Sequence, residues 1–307
     1  MIDVDTRRLT DADVPAAMDL VRQAGWNQVP ADWHRLLELE PAGCFGGYVG
    51  SELVATATLL TYDGIDRVPA EPNPHNDGPA ATDVGWVGMV LVDKNHRRNG
   101  YGGTIVNRVL EAAADRDVAL GLDATDAGRP LYRRRGFVDV CPIERWAGTP
   151  TTDRVLRESD GSGDSMTFEI DSTTIDAVCT FDRQACGVDR GDLLRQLLDL
   201  SDVFGVGTRD ADGIRGYAVA RPGREFGQVG PIVASRPDHV GPLLVRATEK
   251  LAQDAVLVDL LAVDAVDAVL ECLGLECQRR LTRMTAPEPK RLLVGPDVVA
   301  AAGFEFG

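Results

Sequence analysis

Near the start of the chain, Thr10 and Asp11 precede apolar Val14, Met18, Leu20 and Val21, the spacing of a capped helix behind a short strand. Pro30 opens a second helical run through Trp33, Leu36 and Leu37. Two β-like runs, Cys44–Val49 and Leu53–Tyr62, flank a Gly-Ser-Glu turn and predict a hairpin. Residues 63–82 are punctuated throughout by Pro, Gly, Asn and Asp and read as a loop. A long apolar strand, Val84–Val92, then runs into Gly100–Gly103 and an amphipathic helix with Ile105, Val106, Val109 and Leu110 inward. A strand over Val118–Leu122, a short helix ending at Arg135 and a strand from Phe137 complete this first unit.

Residues 148–166 are polar and rich in Gly and Ser, the composition of a linker. A second α/β unit starts at Thr167, with helical runs at 173–185 and 190–200 and strands at 203–207, 214–220 and 228–234 before a helix from His239 to Ala252. Its pattern repeats that of the first. GWVGMVLV from Gly85 corresponds to GQVGPIVA from Gly227, and each is followed by a polar stretch, a glycine (Gly100, Gly241) and an apolar helix. Both units then reach a Gly-apolar pair, Gly136-Phe137 and Gly274-Leu275. Counting back from these glycines, Asp126 matches Asp264 but Tyr132 matches Leu270. The order of elements repeats, and the polar chemistry is expected not to. Three domain spans follow: 1–147, a linker over 148–166, and 167–307.

Composition narrows the picture. The 307 residues suit two ordinary domains, and 44% hydrophobic residues suffice for real cores. No apolar run is long enough for a membrane span, and the first residues lack the marks of a secretory signal. Six cysteines form no CxxC pair and no zinc pattern, so they are expected to be reduced, small buried hydrophobes in a cytoplasmic protein without a metal. The net charge of −16 argues against nucleic acid as a partner. Only three lysines accompany 29 arginines and 34 aspartates, which points to adaptation to a salt-rich cytoplasm, where self-repulsion is screened.

The candidate chemistry lies in residues 87–111. Arg97-Arg98-Asn99-Gly100-Tyr101-Gly102-Gly103 joins a strand to a helix, and a helix beginning there directs unpaired N–H groups and the positive dipole end at a ligand. A diphosphate is the natural guest, with Arg97 and Arg98 adding charge-assisted contacts. The P-loop string GxxxxGK[ST] is absent. A dinucleotide fingerprint is also excluded, because seven residues separate Val92 from Gly100 and the third glycine is missing.

The spacing [R/Q]-x-x-G-x-[G/A] after a V-x-V strand end resembles the acetyl-CoA signature of the GNAT superfamily of N-acetyltransferases. Leu131-Tyr132 followed by Gly136-Phe137 resembles that family's second landmark. Trp26, Asn27, Asp32 and Trp33, the string GYAVARPG and the Phe-Glu-Phe-Gly tail resemble members that carry a further GNAT-like domain. The resemblance implies an α/β fold with an α+β mixed sheet, built as two tandem GNAT-like acyl-CoA N-acyltransferase domains, the second degenerate. It implies acetyl-CoA as cosubstrate, with Val90 and Val92 pairing with the pantetheine arm and the Arg98–Gly103 amides holding the diphosphate. Arg97, Arg98, Asn99, Gly100, Tyr101, Gly102 and Gly103 are thus the candidate binding loop. Tyr132 would be the acid toward the departing thiolate. The expected activity is direct transfer of acetyl to a primary amine, small-molecule or peptide, in a ternary complex. The alternative is a non-catalytic acyl-CoA-binding or regulatory protein. A homodimer is compatible with the resemblance. The second unit lacks the arginine-rich loop, Pro231 interrupts its strand, and Leu270 replaces the tyrosine, so it is expected not to bind acetyl-CoA productively.

The remaining candidates carry two readings each. Trp26 and Trp33 suit either an acceptor site or a core between helices. His75, near Asp77, reads as a solvated loop residue, and His96 abuts the glycine loop. Asp83, at the start of the central strand, is the nearest carboxylate by position for a general base.

Overall fold

The structure is a computed structural model that describes residues 4–65, 83–116, 118–151, 166–261, 263–287 and 292–307. Most of the expected loop, including His75, and most of the expected linker lie outside the described residues. The first half runs β1 (Asp5–Arg8), α1 (Val14–Ala24), α2 (Pro30–Leu39), β2 (Cys44–Val49), β3 (Glu52–Tyr62), β4 (Val84–Val92), α3 (Tyr101–Ala114), β5 (Ala119–Ala124), α4 (Arg129–Arg133) and β6 (Val138–Gly148). The second half runs β7 (Met166–Glu169), α5 (Ile175–Cys186), α6 (Gly191–Leu198), β8 (Phe204–Asp210), β9 (Gly213–Arg221), β10 (Gly227–Ala234), α7 (Val240–Thr248), β11 (Val256–Leu260), α8 (Val263–Cys272), β12 (Glu276–Ala286) and β13 (Val298–Ala300).

Local chemistry accounts for the helix starts. Pro30 sits in the first turn of α2, where its missing N–H costs nothing, and Asp32 accepts the Val29 N–H at 2.9 Å. Thr10 and Asp13 make the corresponding reciprocal cap ahead of α1. Helix α7 ends at Thr248, before the exposed Glu249-Lys250, and is shorter than its apolar pattern suggested.

All strands join one 13-stranded sheet in the order β1-β2-β3-β4-β5-β12-β6-β11-β13-β10-β9-β8-β7. The strand from Phe137 therefore does not complete the first unit, contrary to the sequence expectation. β6 leaves β5 and pairs antiparallel with β11, while β12 of the second half takes the place beside β5. β6 and β12 pair with each other at the centre. The halves thus exchange their last strands around a pseudo-twofold. Pro231 does not break β10 either; the strand passes through it with an irregular register between Val229 and Ile232.

The exchange is locked by two equivalent ion pairs. Asp123 on β5 accepts Arg283 of β12 at 2.9 and 2.8 Å, and Asp259 on β11 accepts Arg145 of β6 at 2.7 and 2.8 Å. In each pair the aspartate's half and the arginine's half differ, so some polar chemistry does repeat, contrary to expectation. Apolar burial fills both faces of the sheet. One cluster lies with α3 and α4 and one with α7 and α8, while a third runs unbroken under α1, α2, α5 and α6. Cys44, Cys179 and Cys186 are buried as expected, but Cys272 and Cys277 are exposed, at the end of α8 and the start of β12, where they flank the Gly274 turn.

Candidate active site

β4 and β5 pair in parallel only from Val84 to Trp86, against Ala119 to Gly121. Beyond Trp86 the strands part, leaving β4 with no ladder partner on that side among the described residues. Opposite this opening β4 bulges: Thr56 faces Leu91 and Thr58 faces Gly88, so Met89 and Val90 together oppose Ala57. Met89 takes φ 47, a left-handed conformation that costs a side-chain-bearing residue about 1–2 kcal/mol. Thr56 Oγ1 offsets part of this by donating to the Met89 carbonyl at 2.8 Å. A bulge increases the local twist and re-aims backbone groups, and this one lies where β4 has lost β5 as a neighbour. Val90 and Val92 are half-buried on this strand, and the Val92 carbonyl already accepts Arg97 Nε at 3.3 Å.

The loop after β4 is anchored at Asp93. Its carboxylate accepts Gln23 Nε2 at 2.7 Å, the Asn95 N–H at 2.8 Å and His96 Nδ1 at 3.1 Å. Burial would raise its pKa, but these donors outweigh it and hold the carboxyl below the usual range. Glu52, Asp93 and His96 place possible metal-ligating atoms within 4.8 Å of one another, yet the hydrogen bonds alone account for Asp93. Arg98 and Gly100 then adopt φ 65 and φ 88, and α3 starts at Tyr101. The amides of Arg98, Asn99, Gly100 and Gly102 donate to no acceptor among the described residues. With the helix dipole behind them they offer donors of the kind that suits an anion, and nothing lies within 4 Å of where a Gly100 Cβ would stand. Arg97, Arg98 and Asn99 are exposed around it, whereas the Tyr101 ring is buried and stacked on His96, so this residue can offer only backbone.

Helix α4 is clamped to α3 by Arg135, which donates to the Gly103 carbonyl at 3.0 Å and to Asn107 Oδ1 at 2.7 Å. This presents Tyr132 to the opening beside Gly88, Met89 and Val90. Its ring packs edge-on against Phe137 at 6.0 Å, and its hydroxyl makes no hydrogen bond to the described residues. Burial pushes its pKa up to about 12, so the phenol stays protonated and able to donate near neutrality.

The opening continues into a cleft that is also lined by Trp26 and by Arg279, Leu281 and Phe304 of the second half. Trp26 thus faces the cleft, while Trp33 is core. Asp123 also lines it, but both its oxygens are committed to Arg283. Asp83 lies beyond the paired end of β4, away from the opening, where it accepts the Gly64 N–H at 2.8 Å. It is not positioned as a base, and no unpaired carboxylate or imidazole lines the cleft among the described residues. Arg279, Leu281 and Phe304 were missed by sequence reasoning. Only the apolar, Gly-bounded tail hinted at a buried role.

In the second half the matching opening is closed. β10 and β11 part after Val229 and Val258, and β13 fills the gap, pairing Ile232 and Leu260 with Ala300. Asp238 and His239 precede α7 where the first half has its glycines, and Leu270, the counterpart of Tyr132, is fully buried.

Comparison with known proteins agrees with this architecture. The Acetyltransferase (GNAT) family matches residues 12–137, and an Acetyltransferase (GNAT) domain matches residues 178–292. An uncharacterized N-acetyltransferase of Bacillus subtilis, YitH, is 24% identical over 78% of this chain and 76% of its own. The holothin acyltransferase of a Pseudoalteromonas strain is 22% identical over 74% and 68%. Among solved structures, a candidate acetyltransferase from Pyrococcus horikoshii superposes with a TM-score of 0.75 at 17% identity, over 99% of this chain and 96% of that one. A tandem GNAT protein from the clavulanic acid biosynthesis pathway, covering 94% of this chain and 100% of its own at 16% identity, gives 0.59. With two family domains in tandem around one sheet, the chain belongs to the GNAT superfamily of acyltransferases.

Proposed function

We propose that the protein is an acetyl-CoA-dependent N-acetyltransferase whose first half carries donor binding and chemistry, with direct transfer to a primary amine in a ternary complex. The observation that carries this reading is the coincidence, along β4 and the loop that leads from it into α3, of the parted β4–β5 edge, amides that donate to no acceptor among the described residues, and a Tyr132 hydroxyl that lines the opening with no hydrogen bond among them. Acetyl-CoA, when bound, supplies an activated acyl carbonyl.

The chain's residues divide the remaining work. The amides of Arg98 through Gly102, with Arg97 and Arg98, suit the diphosphate. The free edge of β4 from Gly88 to Val92 suits the amide-bearing pantetheine arm, and the bulge at Met89–Val90 directs backbone N–H toward charge growing on the carbonyl oxygen. Tyr132 donates its proton to the leaving sulfur. Because no free base lines the cleft among the described residues, the amine arrives neutral or loses its proton through water. Six free cysteines support a reducing compartment, read here as cytoplasm, and the acid excess supports work at high ionic strength.

Calorimetry with acetyl-CoA in KCl at about molar strength, where surface charge is screened, tests the reading. Saturable binding is expected, weakened at least about tenfold by Gly100→Val, together with CoA release that depends on an added amine. A folded protein that binds no acetyl-CoA overturns it.

A further inference from the structure

The acceptor side of the cleft holds a cation with no ion-pair partner of its own among the described residues. Arg279 reaches it from β12, where a register shift between Cys277 and Arg279 sets Gln278 aside and brings Arg279 opposite Arg145 on β6. Arg145 is neutralised by Asp259. Arg279 has no carboxylate or carbonyl partner among the described residues, and its Nε is buried without a hydrogen bond. Its guanidinium instead lies 5.5 Å from the centre of the Phe304 ring, which Arg145 approaches from 4.3 Å.

This arrangement is costly. A guanidinium keeps its charge and offers five donors, and leaving the buried Nε–H unmet forfeits its hydration without return. Burial, and then the like charge of Arg145, work against it, and the charge of Asp259, which Arg145 already holds, offsets them only in part. Shortage of acids is not the reason, since the chain has 48 acidic residues against 32 basic ones. The other charged residue in the wall, Asp123, is fully engaged by Arg283. Trp26, Leu281 and Phe304 add apolar surface to the same wall, and less water around a charge strengthens an ion pair formed there. A planar fork in such a setting fits a carboxylate bidentately.

We propose that Arg279 binds a carboxylate of the acceptor, so that the protein acylates amines carrying a carboxylate beside an apolar body, as in an apolar amino acid. The inference rests on the acyltransferase reading above and assigns its acceptor class. The transfer balances as for any amine: the N–C bond forms, the C–S bond breaks, and one amine proton ends on the released thiol. Arg279 is a specificity residue contributed by the half that has lost its own donor slot.

The test compares leucine and phenylalanine with leucinamide and phenylalaninamide as acceptors, in the wild type, Arg279→Met and Arg279→Lys, following CoA release and measuring acetyl-CoA affinity in parallel. The amides carry the less basic amine, so basicity alone would favour them. The wild type is expected to prefer the acids by about tenfold or more in kcat/KM. Arg279→Met is expected to raise KM for the acids by about tenfold, to leave KM for the amides and the acetyl-CoA affinity where they were, and Arg279→Lys to restore part of the preference. A merely structural role would instead lower kcat for acids and amides alike. Equal use of acids and amides, an unchanged ratio in Arg279→Met, or acetyl-CoA binding without transfer to any of the four overturns the assignment while acyl-CoA recognition stands. Absence of acetyl-CoA binding overturns the acyltransferase reading itself.

Discussion

Removing Arg283 tests the interlocked sheet most directly. Its side chain and that of Asp123 are both fully buried, and Nε and Nη2 meet the carboxylate at 2.9 and 2.8 Å. Nη1 donates to the Leu293 carbonyl at 3.3 Å, and the guanidinium lies over the Trp86 ring at 4.4 Å. Arg283→Met keeps most of the stem's packing, so the loss is mainly electrostatic: Asp123 is left as a buried carboxylate with no cation. Breaking such a pair costs about 3–5 kcal/mol, whereas replacing both partners with apolar groups is close to neutral. Guanidinium denaturation followed by tryptophan fluorescence reads the difference by linear extrapolation. Arg283→Met should lose about 4 kcal/mol, and Asp123→Leu/Arg283→Met should recover most of it. Because each exchanged strand lies in the other half's sheet, one transition should shift as a whole. A loss below about 1 kcal/mol, a double variant no better than the single one, or separate transitions for the two halves would refute the reasoning.

Four further outcomes are expected. Tyr132→Phe should lower kcat about a hundredfold with acetyl-CoA affinity unchanged; retained turnover would make Tyr132 a packing residue only. Because burial raises the pKa of Tyr132 to about 12, its proton is kept below that pH, and rates should rise with pH as the acceptor amine deprotonates; a descending limb near 10 that Tyr132→Phe removes would contradict this. Calorimetry should give one acetyl-CoA site per chain, since β13 fills the second opening, and two sites would contradict that. The melting temperature should climb as KCl is raised from about 0.1 to 2 M, because salt screens the net charge of −16, and a flat response would show that the acid excess is locally compensated.

What the sequence made legible was local. The apolar run Val84–Val92, the glycine loop and the amphipathic face of α3 are contiguous, so period and spacing alone place them. Tyr132 followed because Gly136-Phe137 lies only a few positions on. The strand exchange was not legible. β6 and β12 carry the same alternation whichever half they join, and the partners that decide it are 160 and 114 positions apart. Comparing the units through Asp126 and Tyr132 matched one acid and lost the tyrosine, and it missed the Asp–Arg pairs because those point between halves. Arg279 was hidden for a related reason: the register shift at Gln278 sets where the side chain goes, and residue type does not announce a bulge.

The segment after β12 explains why the second half persists without a slot of its own. β13 occupies the gap that the first half leaves open, so the fold there is completed by its own chain rather than by a ligand. The same segment then crosses to the first half, and its backbone passes so near β4 that a Cβ on Gly88 would stand 2.9 Å from the Glu305 carbonyl. Trp86 Nε1 donates to the Phe304 carbonyl at 3.0 Å, and Tyr62 to that of Phe306 at 2.7 Å. Glu305 is buried, which raises its pKa, and the countering charge of Arg221 at 2.7 Å together with Gln28 at 2.7 Å holds it in place. Arg221 belongs to β9, so the tail is pinned from both halves while Phe304 faces the cleft. Filling one slot and walling the other are thus two consequences of a single stretch of chain. A mutation that frees β13 should therefore alter acceptor handling in the first half before it exposes any donor site in the second.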